Sequence, residues 1–201
     1  SWTPGNRVKS AILERIIFID SLDNAYVKTH NITQKSLRKF IEDGTVSFLK
    51  SKRNGNEKLY HFHGNLGKIK SADCLIAYRE KSVVVDIDFE QSDIKKYKPL
   101  VGYAKPFLYK QKNWFSGKWE LYDLNGMVPS SAPEKFTSLF FRNGLLDCKK
   151  STFTSSKPLT YISFKNQLKD THQQEYILKT IWYQEKIEIK DLSIIDTKSN
   201  N

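Results

Sequence analysis

Three groups of side chains in this sequence have the types and spacing to do chemistry. His61 and His63 alternate in KLYHFHG, so on a strand both imidazoles leave one face while Tyr60 and Phe62 take the other. Two imidazoles so placed chelate a transition metal if a third ligand approaches, and Asp73 or His172 could be that ligand. A solvated pair on a sheet face produces the same pattern. Asp86, Asp88 and Glu90 alternate in VVVDIDFE and would stand in a row on one strand face. Two carboxylates presented in this way are what a pair of magnesium ions needs for phosphoryl chemistry, although a half-exposed strand alternates identically without any chemistry. Asp170 with Glu188-Ile189-Lys190 has the outline of a metal-dependent nuclease motif, an acid followed by Glu-x-Lys on a strand. No Gly-rich phosphate loop, Gly-x-Ser-x-Gly or His-Glu-x-x-His accompanies these groups, and neither cysteine has a partner base. The expectation is no cofactor and, on balance, no catalysis.

The elements that must position these groups are mostly strands. From Thr45 onward the sequence reads as a β-meander: TVSFLKS, a turn at Arg53-Asn54-Gly55-Asn56, KLYHFH, a break at Gly64-Asn65-Leu66-Gly67, CLIAYR and SVVVDIDFE. In the last of these, Val83, Val85, Ile87 and Phe89 line the face opposite the carboxylates. Upstream, residues 6–20 read as a short helix running into a strand, and residues 21–31 as a polar connection. Thr33 to Glu42 fits a helix capped by Thr33, with Leu37, Phe40 and Ile41 on one face and Gly44 as its stop. A hairpin turning at Asp43-Gly44 competes with that helix.

A second meander follows the charged stretch 91–98 and Pro99, which mark the boundary between a first β-rich half (residues 1–98) and a second (99–196), with a polar tail at 197–201. Ser131 can cap a short helix carrying Phe136, Leu139 and Phe140. The segments 57–90 and 157–195 echo one another: an aromatic pair on a short strand (Tyr60 and Phe62; Tyr161 and Phe164), then a hairpin turning at Glu80-Lys81 or Glu185-Lys186. The expected fold is therefore mainly β, with antiparallel meanders, one short helix per half and a two-copy pseudo-repeat that could close as a barrel.

Composition narrows the function classes. The net charge of +11 comes mostly from lysine spread along the whole chain, which favours polyanions such as nucleic acid, an anionic surface or an acidic partner. Arginine is sparse, and no stripe of arginine and aromatics of the kind that marks dedicated nucleic-acid binders is visible. No run approaches the roughly 18 apolar residues of a membrane helix. The chain opens at Ser1-Trp2-Thr3-Pro4 and its single methionine is Met127, so an N-terminal piece is expected to have been removed or replaced, either by cleavage of an export signal or by trimming of the chain for expression. A secreted or bacterial-envelope location is expected, with the cytoplasm as the alternative. Cys74 and Cys148 would form one disulfide in an exported chain or remain two buried thiols.

Phe115-Ser116-Gly117-Lys118-Trp119-Glu120-Leu121, followed by an Asn-Gly turn and a succession of short alternating strands, resembles the Gly-x-Trp opening strand of lipocalin-like β-barrel domains of bacterial envelope proteins. The resemblance covers residues 115–195. The first half has Glu14-Arg15-Ile16 where a second Gly-x-Trp would stand, and no late arginine is placed to pack on Trp119. The resemblance implies a binding barrel or interaction surface with Tyr103, Phe107, Trp114 and Trp119 on a cavity or partner face, and a protein partner or small apolar ligand. The same four side chains would equally serve as core. Taken together, the sequence points to a non-catalytic binding or protein-interaction module. A metal-dependent nucleic-acid-processing enzyme using Asp86 and Asp88 is the alternative, and a structural subunit of a larger assembly is a further one.

Overall fold

The structure is a computed structural model that describes residues 2–117, 141–153, 159–167, 172–183 and 186–198. In chain order it comprises α1 (Pro4–Leu13), β1 (Ile16–Ile19), α2 (Ser21–Thr29), α3 (Gln34–Asp43), β2 (Thr45–Lys52), β3 (Glu57–Leu66), β4 (Ile69–Arg79) and β5 (Val84–Phe89). A 3-10 turn (Ile94–Lys96) follows, then β6 (Tyr103–Leu108), β7 (Phe115–Gly117), β8 (Leu145–Asp147), β9 (Leu159–Gln167), β10 (His172–Tyr183) and β11 (Lys186–Lys198). The strands form one sheet in the order β2-β3-β4-β5-β1-β6-β8-β9-β10-β11-β7. The fold is mainly β, as the alternation requires. The ladder runs across the 98/99 boundary through β1 and β6 and, among the described residues, does not close into a barrel.

The first half carries three α-helices, and each has a local cause. The helix running into a strand expected over residues 6–20 is present as α1 and β1, α3 matches the expected Thr33–Glu42 helix, and α2 is additional to one short helix per half. Thr3 caps α1 and accepts from the Asn6 N–H, with Pro4 just inside the helix where its missing N–H costs nothing. The supposed polar connection 21–31 is largely α2. Asp20 and Asp23 form a reciprocal capping box that starts it, and Val27 supplies the buried anchor. At α3 the helix prevails over the hairpin, because Thr33 and Ser36 cap each other and Leu37, Phe40 and Ile41 are all buried. Residues 141–143 are helical, whereas Phe136, Leu139 and Phe140 lie outside the described residues.

Each half ends in a three-stranded antiparallel meander, β3-β4-β5 and β9-β10-β11, with β4 ending at Arg79 ahead of Glu80 and β10 at Tyr183. The break placed at residues 64–67 is tighter than the sequence suggested. Leu66 pairs with Ile69 across Gly67-Lys68, and Gly67 has φ +60°, the conformation that a two-residue hairpin loop with glycine first demands.

β1 explains how the two halves are joined. Its four residues are all buried, because Ile16 and Phe18 enter one core while Ile17 and Ile19 enter another. A strand covered on both faces reads as a continuous apolar run, which is why IIFI lacks alternation. The first core packs Ile16, Phe18 and Val84 against Trp114, Phe115, Leu178, Ile187 and Ile189, so the second-half strands curl back over the first-half sheet. The second core lies under the three helices and contains Phe40, Phe62, Ile76 and Val85.

Candidate functional site

The carboxylate row expected on VVVDIDFE faces the interior rather than solvent. β1 runs parallel to β5 with Phe18 opposite Asp86, so the second half covers the face that the aspartates share with Ile16 and Phe18. Asp86 is 2% exposed. Its Oδ1 accepts from Arg79 Nη1 at 2.7 Å and its Oδ2 accepts from the Tyr97 hydroxyl. Arg79 in turn donates from Nε at 3.0 Å, and from Nη2, to Glu57 Oε2, with its guanidinium over the Phe153 ring. Asp88 is half-buried and its Oδ2 accepts from the Lys98 N–H at 2.9 Å. Glu90 lies beyond the end of β5 with a left-handed backbone, φ +56°, which breaks the row.

The same place gathers two acids that sequence reading assigned no role. Asp20, just past β1, accepts from the Leu22 and Asp23 N–H groups on Oδ1 and from Val101 N–H on Oδ2. Asp23 feels Asp20, Asp86 and Asp88. Burial and then the Asp20 charge push its carboxyl up to about 7, against a hydrogen bond from the Asp20 backbone that lowers it. Burial likewise raises Asp88. These four acids hold a helix cap, two loop backbones and a buried arginine. Among the described residues, no group of three or more His, Cys, Asp or Glu side chains is arranged to hold a metal ion.

Asp73 does reach the histidine pair. It lies opposite His63 on β4, and its Oδ1 receives both His61 Nε2 at 2.8 Å and His63 Nδ1 at 3.1 Å. Both imidazoles therefore converge on a single oxygen. Burial works against the carboxylate, but the hydrogen bonds from His63 and His61 bring Asp73 below its ordinary value. The pair is not uniformly solvated as a sheet face would suggest, for His61 is 2% exposed while the His63 side chain is 48% exposed. His172 begins β10, opposite Lys198. Of the nuclease-like outline, Glu188 binds Lys190 at 2.7 Å and Asp170 lies outside the described residues.

The aromatic residues singled out from the sequence occupy separate environments. Trp114 is fully buried in the core shared by the halves, with its Nε1–H donating to the Lys110 carbonyl. Phe107 packs against the helix-side core and Tyr103 is exposed, while Trp119 lies outside the described residues. Cys74 and Cys148 are free thiols, and burial pushes both up to about 12, which removes them as nucleophiles at neutral pH.

Two clefts on the helix side of the sheet were not visible in the sequence. The larger, of about 590 Å³, lies between α3 and the end of the β3–β4 hairpin. Lys35 and Lys39, one helical turn apart on the exposed face of α3, border it together with the polar side chains of Ser36, Thr45 and Asn65; Asp43 is the one acid on its lining. Comparison with protein-family models, with curated proteins and with solved structures finds no match. The cleft's character must therefore be read from its own chemistry, which is cationic and rich in hydrogen-bonding groups.

Glycines shape its floor. A Cβ on Gly44 would come 2.5 Å from the Phe40 carbonyl oxygen and 3.2 Å from that of His63, and a Cβ on Gly64 would come 3.1 Å from the Gly44 Cα. Only two adjacent glycines let α3 hand over to β2 directly beside β3. Gly44→Ala is expected to destabilise the protein by about 1–3 kcal/mol, as overpacking against backbone does. Equal urea midpoints for Gly44→Ala and the parent would remove this account of the cleft floor.

The smaller cleft, of about 300 Å³, opens between α1 and strands β2–β4. Phe48, Tyr60 and Tyr78, one from each strand, form its wall opposite Pro4, Val8 and Ala11 of α1. Arg7 lines it too and stands over Trp2, which is 90% exposed.

Proposed function

We propose that this protein is a non-catalytic binding module whose partner is a polyanion held along the helix side of the first-half sheet. The observation that carries the reading is the α3 cleft, where Lys35 and Lys39 flank a trough lined with hydroxyl and amide groups. Two ammonium groups at that spacing suit successive anionic groups, and the chain's +11 charge draws such partners in from a distance. The magnesium-enzyme alternative is weakened by the state of its key residue, since both oxygens of Asp86 are engaged by Arg79 and Tyr97. The five large apolar side chains most exposed among the described residues, Trp2, Leu22, Leu49, Val101 and Tyr103, come from separate elements. This scatter supports a polyanion over a broad apolar protein partner.

The test compares the parent with the Lys35→Glu/Lys39→Glu double variant for binding to heparin and to a short DNA duplex across a salt series. The expected result is an affinity loss of at least about tenfold at low salt and a salt slope shallower by about two. An unchanged slope with unchanged affinity would refute the assignment of the cleft.

A further inference from the structure

Half of the chain's arginines lie on the smaller cleft or against the aromatic side chains that wall it. Arg7, Arg15 and Arg53 are three of six, and sequence distance hides their association. Arg53 stands over the Phe48 ring at 5.6 Å and Arg15 over the Tyr78 ring at 5.6 Å, while Arg7 borders the cleft itself. Arg15 is 7% exposed and donates to the Tyr78 hydroxyl and the Glu80 carbonyl, yet its Nε–H is without a hydrogen-bond partner. Arg15 thus backs the Tyr78 ring from inside the fold, whereas Arg7 is the guanidinium on the cleft lining itself.

The wall itself is ordered by the sheet. Lys58 lies opposite Tyr78 and Tyr60 opposite Ile76, so the two tyrosines are diagonal neighbours on one face. Phe48 meets Tyr60 edge to face, ring centres 6.5 Å apart at 87°. Tyr60 is nearly buried and forms the floor, while Phe48 and Tyr78 are half-exposed. No acid lines the cleft, and the nearby Glu80 carboxylate is paired with Lys58.

We propose that this cleft stacks bases of a single-stranded nucleic acid whose phosphates continue to Lys35 and Lys39, an inference that rests on the polyanion reading above. Flat aromatic faces rimmed by guanidinium groups suit a partner that is both π-faced and anionic, because each base finds a ring and each phosphate a cation. An inorganic anion or a sulfated sugar would fill the lysine cleft and leave the aromatic one empty. The two clefts share β2: Thr45 lines one and Phe48 the other, three residues on, about 10 Å of strand. A partner that repeats charge and ring along a flexible chain meets both. A duplex does not, since its bases are stacked away inside. The contacts use base faces and phosphates, which DNA and RNA have in common, so both sugars serve.

The experiment measures anisotropy of labelled oligo(dT) and oligo(U), each of about 12 nucleotides, against a duplex of the same length and against heparin. The parent is compared with Phe48→Leu and Tyr78→Leu, which keep apolar bulk and remove the ring. Both single strands are expected to bind more tightly than the duplex. Each substitution is expected to weaken them by about tenfold and to leave heparin affinity within about twofold. In the unsubstituted protein, strands carrying 5-iodouracil are expected to cross-link to the peptides holding Phe48, Tyr60 or Tyr78, a readout that does not depend on how the variants fold. Cross-links confined to other peptides, or a duplex bound as tightly as the single strands, overturn the stacking site. If heparin still binds through Lys35 and Lys39, the polyanion reading survives that result; if no polyanion binds, both fall.

Discussion

Asp86→Asn is expected to destabilise the protein by about 3 kcal/mol or more, far beyond an ordinary single substitution. Asp86 and Arg79 are a buried pair, with side chains 2% and 4% exposed, on the sheet face that the second half covers. An amide at position 86 keeps the shape but removes the negative charge, so Arg79 retains Glu57 as its only anionic neighbour in the network and Tyr97 loses a charged acceptor. Breaking one partner of a buried pair typically costs about 3–5 kcal/mol, and the surviving Glu57 contact places this case at the lower end. Asp88→Asn is the control. Its carboxylate is half-buried and holds one backbone N–H, which an amide oxygen also accepts, so its unfolding midpoint should move little. Urea unfolding of both variants with unchanged m values gives the comparison. Equal and small effects would mean that the network is ornamental to the fold, and would return Asp86 to consideration as a metal ligand.

That pair also shows where the sequence was readable and where it was not. The alternation VVVDIDFE gave the strand and put Asp86 and Asp88 on one face, which is a local property of period two. Whether that face met water depended on the second half folding back over it, which brings residues more than 90 positions apart, such as Val84 and Ile187, into one core. The same division holds elsewhere. The helix at Gln34–Asp43 showed its cap and apolar face in the sequence but competed there with a hairpin at Asp43-Gly44, and the burial of Leu37, Phe40 and Ile41 decides between them, leaving Lys35 and Lys39 on the outer side by the 3.6-residue period. The α2 helix was missed because its signal is a carboxylate pair, Asp20 and Asp23, in a stretch otherwise polar. The histidines and Asp73 were each named, but only the β3–β4 register brings them together. Arg7, Arg15 and Arg53 lie on α1, the α1–β1 link and the β2–β3 turn, and nothing local marks them as neighbours.

Asp23 should make stability fall as pH rises from about 5 to 7. Its carboxyl has an ordinary value of 3.8 and is raised to about 7 in the folded chain, by burial first and then by Asp20, Asp86 and Asp88. Between those two values the folded state holds a proton that the unfolded chain has released, so the unfolded state binds fewer protons and the slope of stability with pH is negative. One such proton gives a slope approaching 1.4 kcal/mol per pH unit, or about 2 kcal/mol lost between pH 5 and pH 7, with no further loss from this group above its folded value. Asp73, Glu14 and Glu80 are lowered and so act with the opposite sign, but only below their ordinary values of 3.8 and 4.5, outside this window. Asp88 is raised and reinforces the trend. Asp23→Asn isolates the effect, since the amide oxygen still accepts from the Asp20 N–H and carries no charge at any pH. The difference in unfolding free energy between Asp23→Asn and the parent should be small at pH 5 and should grow to about 2 kcal/mol in favour of the variant by pH 7. A difference that stays constant across that range would show that neither burial nor the neighbouring acids raises Asp23.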